Sequence, residues 1–256
     1  MIDELAHAGD EHLDEDFIAG YDRKQGYPDP EPDILAFEAH GLDGTSTVID
    51  FAAGTGQFAV PAARRFRRVI AVDVSPAMIA AVHAKAAADG AAGNSAAAAR
   101  LECVRGGFLS YTPAAPVDGV YTRHGLHQIP DFWKAIALRR IAGMLRPGGV
   151  LRLRDLIYDF GPEEAPEIFA DWFAGAANDP AEGYTADDYA VHIRTEHSTY
   201  RWLFEPIIAA AGFAITEVKF EGRLYGTYTC VKRDDRQAPG EAAGLGARGD
   251  DGGQVG

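Results

Sequence analysis

Two acids frame a glycine-rich turn in the stretch Val48–Phe58, VIDFAAGTGQF. Asp50 comes just before the turn, and Asp73 closes the next apolar run, RRVIAVDVS. Gly54 and Gly56 carry no Cβ, so the backbone can pass close to a ligand there. A strand, a glycine turn and a helix of this kind hold a nucleotide cofactor, and two chemistries compete. GTGQFA (Gly54 to Ala59) fits the G-x-G-x-x-G/A pattern of dinucleotide binding, with Asp73 at the distance expected of a ribose ligand. Hydride transfer would follow. Asp50 argues the other way, because an acid just before the turn sits unfavourably near a diphosphate. Beside a sulfonium cofactor with a free α-amino group the same acid is well placed, to orient water or the turn's backbone around the cation. Methyl transfer would then follow.

Downstream lie further residues with chemical potential. His124 and His127 follow an apolar run, and a histidine near neutral pH can take a proton as a nucleophile attacks. Asp155 closes a later strand on the same face and is a candidate for holding substrate. His192 and His197 flank Glu196, but three or four converging ligands are needed for a metal, and the spacing offers none, so no metal is expected. Trp133, Tyr158, Trp172 and Trp202 would suit a flat or lipophilic acceptor, with His197 beside them.

The elements that must position these groups alternate. Strands are expected at Val48–Phe51, 67–75, 100–108, 117–125, 150–158, 214–220 and 223–233, with helices at 28–42, after Gly56, at 76–90, at 131–149 and at 198–213. Ser75 caps the 76–90 helix and Pro76 takes its first position. Such alternation implies a mostly parallel sheet covered by helices on both faces. The last two strands are joined by a few residues around EG, which permits only an antiparallel hairpin. The expected fold is therefore α/β: a Rossmann-like, doubly wound seven-stranded sheet, mostly parallel, with one antiparallel strand near the C-terminus. The aromatic and acidic stretch from about Gly161 to Thr195 reads as a helical insertion before strand six. Residues 1–232 would form this domain, with about 1–28 as an N-terminal lid carrying Tyr21, Lys24 and Tyr27. Residues 233–256, almost free of large apolar side chains, are expected to be disordered.

Four stretches in this order resemble the class I S-adenosylmethionine-dependent methyltransferases, near the ubiquinone and menaquinone biosynthesis subgroup. They are VIDFAAGTGQF, VIAVDVSPAMI (Val69 to Ile79), HGLHQIPDFWKAI (His124 to Ile136) and GMLRPGGVLRL (Gly143 to Leu153). The resemblance implies S-adenosylmethionine as cofactor and a small-molecule acceptor. It implies Asp73 on the ribose hydroxyls, Val74 and Met78 along the adenine, and Asp50, Ala52, Gly54, Gly56, Gln57, Gly107, Phe108 and Arg123 in the rest of the cofactor site. His124 and then His127 would be the base where one is needed. Two positions depart from the family pattern. Ala52 stands for its first glycine, and Gly107 stands where relatives often place an acid on the adenine amino group. An NAD-dependent oxidoreductase, or a protein that binds S-adenosylmethionine without catalysis, are the alternatives.

Composition bounds the partners. A net charge of -14 repels nucleic acid and anionic membranes. Cys103 and Cys230 make no disulfide framework, and the opening residues lack a signal peptide's basic start and apolar core, so a cytoplasmic monomer or homodimer is expected.

Overall fold

The computed structural model describes residues 2–9 and 15–234; of the tail expected to be disordered, 235–256 lie outside the described residues. The chain begins with two helices, α1 (Glu4–His7) and α2 (Glu15–Lys24), followed by α3 (Glu31–Ala39). Then comes the alternation: β1 (Thr47–Phe51), α4 (Ala59–Ala62), β2 (Arg68–Asp73), α5 (Pro76–Asp89), α6 (Ser95–Ala98), β3 (Leu101–Arg105), β4 (Val117–Arg123), α7 (Asp131–Met144) and β5 (Leu145–Tyr158). Helices α8 (Ala165–Ala174) and α9 (Ala186–Thr195) form the insertion. The chain then returns through β6 (Thr199–Tyr200), α10 (Arg201–Ala210), β7 (Phe213–Glu221) and β8 (Tyr225–Lys232).

The sheet order is β3-β2-β1-β4-β5-β8-β7, with the two-residue β6 paired to β5 off this path. β8 runs antiparallel to both β5 and β7, and the remaining pairs are parallel. This is the expected sheet with its one reversed strand. The reversal follows from the hairpin at Gly222 and Arg223, both at positive φ (57° and 60°), which turns the chain within a few residues. Side chains along the central strands alternate between two cores. Ile49, Phe51, Ile70 and Val72 face one, and Val48, Val69 and Ala71 face the other. Both faces are thus covered, as a parallel sheet requires.

Three local expectations shift. Helix α7 stops at Met144, and β5 already begins at Leu145, with its register against β4 broken between Val117 and Gly119. Thr199 and Tyr200 are strand rather than the start of α10. Asp155 does not close β5, which runs on to Tyr158. The strand ends of β1, β2 and β4, the insertion and the α2 helix converge on one edge of the sheet, where the candidate site lies.

Candidate functional site

The turn after β1 is built from backbone that few side chains tolerate. Ala52, Gly54 and Gly56 all have positive φ, at 54°, 53° and 81°. A Cβ on Gly56 would press on Val82 and Val60 at 3.2–3.3 Å, so glycine is needed for packing as well as for conformation. Asp73, at the end of β2, braces this turn. Its carboxylate accepts from the Gly54 N–H at 2.8 Å and the Ser75 N–H at 2.9 Å. Ser75 in turn caps α5 by accepting from the Met78 N–H at 3.1 Å. Burial raises the Asp73 carboxyl to about 6, against the pull of those N–H donors.

Two adjoining clefts open on either side of Gly54. The larger, of about 650 Å³, is lined by Asp73, Val74, Met78, Gly107, Phe108 and Ile129, with Glu4 at its far end. The other, of about 560 Å³, is lined by Asp50, Gln57, Phe58, Tyr121 and Pro30. Tyr21, Ala52, Gly54, Arg123 and His124 face both. The structure therefore brings all the expected cofactor residues except Gly56 onto these clefts, and Gly56 shapes the turn behind them.

Two buried polar atoms in the smaller cleft lack partners among the described residues: Asp50 Oδ2 and Arg123 Nε. Asp50 is 2% exposed, and burial, reinforced by the Asp73 charge, pushes its carboxyl well above the usual carboxylate range. A bound cation would remove that penalty. A carboxylate oxygen and a guanidinium nitrogen without partners, on side chains lining one cleft, match the ammonium and carboxylate of an amino acid. They do not match a diphosphate, which would meet Asp50.

Glu4 is a residue the sequence reading passed over. Its carboxylate accepts from the Leu109 N–H at 3.0 Å and from the Ser110 hydroxyl at 3.0 Å, and a Cβ on Gly107 would overlap it. A carboxylate from α1 thus occupies the space beside Gly107. Helix α2 covers the turn from the other side. The Thr55 hydroxyl donates to Asp22, Lys85 pairs with Asp22 at 2.7 Å, and Lys24 reaches Asp188 of the insertion at 3.3 Å. Tyr27, by contrast, is 65% exposed and takes no part.

The two histidines after β4 have different environments. His124 has φ 53° and lines both clefts; burial and the Arg123 charge lower its imidazole well below 6.5, so it is neutral near pH 7. His127 is buried, with Nδ1 2.5 Å from Asp155 and Nε2 3.1 Å from Glu196. Burial alone would lower it, but the two carboxylates outweigh burial and hold it up at about 9. Engaged on both sides, His127 is not free to take a proton from an acceptor, which corrects the second catalytic expectation. Asp155 is corrected too. Its carboxylate accepts from the Leu126 and Leu156 N–H groups, each at 2.8 Å, and from His127, so it orients that ring and does not reach an acceptor.

The expected aromatic set separates. Trp172 stacks on Tyr189 at 4.1 Å and stands 6.0 Å from His192 and 6.2 Å from Tyr225. Tyr158 packs with Phe160, Phe169 and Tyr200 next to it. Trp202 is 58% exposed and rests on Tyr200, while Trp133 packs on the core beside Phe132. Neither joins Trp172. The His197 ring lies 6.1 Å from that of His7, on α1, and its main contribution is a backbone N–H donated to His127 O at 2.7 Å.

With this geometry in view, residues 48–149 match the family model of a methyltransferase domain. The chain carries a methyltransferase domain and is a methyltransferase. Among curated relatives, it is 28% identical to an uncharacterised methyltransferase of Geobacillus kaustophilus over 204 residues, 74% of this chain and 89% of that one. It is also 28% identical to the trans-aconitate 2-methyltransferase of Azoarcus over 191 residues, 71% of this chain and 70% of the relative. Its fold resembles that of the magnesium protoporphyrin IX methyltransferase of Synechocystis, a structure with bound S-adenosylmethionine. The TM-score is 0.60 at 14% identity, over 91% of this chain and 98% of that one. The hydride-transfer alternative finds no support in these matches, and neither relative places the methyltransferase in the ubiquinone subgroup. No helix among the described residues is long and apolar enough to cross a membrane.

Proposed function

We propose that the enzyme transfers the methyl group of S-adenosylmethionine to a small-molecule acceptor by in-line displacement. One observation carries this reading: Asp50 Oδ2 and Arg123 Nε, buried atoms without partners among the described residues, belong to side chains that line the same cleft beside the glycine turn. They would hold the amino acid end of the cofactor. Across Gly54, the ribose hydroxyls would meet Asp73, and the adenine would lie between Met78, Val74 and Phe108 with its amino group toward Glu4. When bound, the cofactor supplies an electrophilic methyl that a sulfonium already activates, so the protein's task is alignment and exclusion of water.

The acceptor side is the edge where His124 meets Tyr225, with ring centroids 5.6 Å apart, under the Trp172 and Tyr189 stack of the insertion. His124 is neutral there and can accept the acceptor's proton as it attacks. We assign the base to His124 alone. The α1–α2 segment acts as a lid, since Glu4, Tyr21 and Asp22 reach the clefts and the turn only while it is docked. Flat acceptors suit this aromatic edge, and trans-aconitate, named for a relative 28% identical to this chain, is the first to try.

Calorimetric titration of the wild type and of Asp73→Ala with S-adenosylmethionine, S-adenosylhomocysteine and NAD tests the cofactor reading. Binding of the two sulfur nucleosides, lost in the variant and absent for NAD, is expected. Binding of NAD alone would overturn it. Labelled donor with candidate acceptors then separates an enzyme from a binding protein.

A further inference from the structure

Beyond the cofactor clefts, three side chains from distant parts of the chain converge behind His124. His127 sits in the turn after β4, while His192 and Glu196 lie on and just after α9. Glu196 Oε2 is 3.1 Å from His127 Nε2 and 2.5 Å from His192 Nδ1, so one carboxylate oxygen is shared between two imidazoles. Each of the three side chains offers one donor atom, and these atoms lie within 4.8 Å of one another.

The far side of each ring is anchored. His127 Nδ1 donates to Asp155 at 2.5 Å, and His192 Nε2 lies in hydrogen-bond reach of the Ser198 hydroxyl at 2.7 Å. Asp155 holds a proton at His127 Nδ1, the way outer partners orient histidine ligands, so an ion at Nε2 would take the place of the proton between His127 and Glu196. Backbone holds the two segments in register, through the His197 N–H on His127 O at 2.7 Å. Asp155 and Glu196 supply two carboxylates whose charge a dication would balance.

We propose that His127 Nε2, His192 Nδ1 and Glu196 bind a divalent first-row transition ion, with Asp155 and Ser198 as its outer shell. Two imidazoles and a carboxylate favour zinc, iron, cobalt or nickel over magnesium or calcium. Bonds of about 2.0–2.1 Å in a tetrahedral site set neighbouring donors about 3.3 Å apart, so the 3.1 Å His127 contact nearly fits and the 2.5 Å His192 contact must open by about 0.8 Å. The Gln128 amide, with Nε2 3.0 Å from His127 Nε2, would turn aside or present its oxygen. The ion would pin the insertion to the domain at the acceptor edge, next to Trp172. The second possible cluster, His124 with His127 and Asp155, is set aside because the Asp155 oxygens are occupied by two backbone N–H groups as well as by His127.

The test uses the full-length, tag-free chain, stripped with chelator and reloaded with Zn²⁺ or Co²⁺. Metal content after gel filtration and calorimetric affinity are read for the wild type, Glu196→Gln, His192→Ala and Asp155→Asn. A 1:1 complex is expected, with retention lost in the first two variants and affinity down by about 10–100-fold in Asp155→Asn. The visible spectrum of the Co²⁺-loaded wild type needs no variant and should report imidazole ligation. No stoichiometric metal, an aqua-like cobalt spectrum, or equal retention by folded Glu196→Gln would overturn the proposal. Titrating S-adenosylhomocysteine into the stripped wild type tests the cofactor site separately.

Discussion

Gly125→Ala should damage this protein through one neighbour, Ala52, and Ala52→Gly should repair it. Gly125 has φ −117°, a conformation that alanine adopts freely, so any cost must come from packing. A Cβ there would lie 2.5 Å from the Ala52 Cβ, with Phe108 Cζ next at 3.2 Å and Thr122 Oγ1 at 3.3 Å. Ordinary carbon contacts are about 3.5–4.0 Å, so the two methyl groups must part by about 1 Å. Overpacking of this size costs about 1–3 kcal/mol. Ala52 is itself in the left-handed region, a strain of about 1–2 kcal/mol that glycine would relieve. That gain is offset by about 0.4–1 kcal/mol of added unfolded-state entropy, so Ala52→Gly alone should be near neutral. In thermal melts without ligand, Gly125→Ala should fall by roughly 4–8 °C, at about 2–4 °C per kcal/mol for a chain of this size. The double variant should recover most of that loss, a coupling of about 1–2 kcal/mol. Because both residues line the larger cleft, affinity for S-adenosylhomocysteine should fall and recover in parallel. A neutral Gly125→Ala, or one that Ala52→Gly leaves unrepaired, would refute the claim that a missing side chain at 125 is what accommodates alanine at 52.

Asp73 should set the acid limit of cofactor binding. Its folded-state carboxyl titrates at about 6, above the unfolded value of 3.8, so burial of the charge destabilises the protein above pH 6 and the cost disappears as pH falls toward 4. The shift corresponds to about 3 kcal/mol. Calorimetry from pH 5 to 8 should show S-adenosylhomocysteine affinity flat above about 7 and falling below about 6, and a flat profile throughout would contradict the ribose assignment. Glu4→Gln should weaken the same ligand by about tenfold, the worth of one charge-assisted hydrogen bond, and leave the melting temperature nearly unchanged. An unchanged affinity would remove Glu4 from the adenine site. Trp172→Ala should raise KM for the acceptor while Trp202→Ala, at 58% exposure, should not alter turnover; equal effects would mean that the insertion does not form the acceptor edge.

How far the sequence could be read depended on the reach of each interaction along the chain. The glycine turn, Asp50 and Asp73 lie within one β–α–β passage, so spacing alone implied their convergence, and β1 and β2 pair in register to deliver it. The reversed β8 was legible because a short connection has only one solution. Glu4 was not, because its partner Leu109 stands 105 positions away and nothing local marks an acid on α1 as a cleft residue. Helix faces also defeated the reading. Trp133, Trp172 and Trp202 are equivalent as letters, but α7, α8 and α10 rotate them to the core, to the insertion stack and to the surface. The same limit governs the histidines. As residues near neutral pH, His124 and His127 were interchangeable candidates, and only tertiary placement separates them. Asp155 on β5 and Glu196 beyond α9 fold onto His127 and turn a nominal base into the hub of a buried cluster, leaving His124 to face the clefts. Chemistry at this edge is therefore decided by the insertion, the one segment whose strand–helix rhythm the sequence breaks. That segment brings His192, Glu196 and Trp172 beside His127 and Tyr225, and on the proposed reading its sequence, more than that of the glycine turn, encodes which acceptor the enzyme takes.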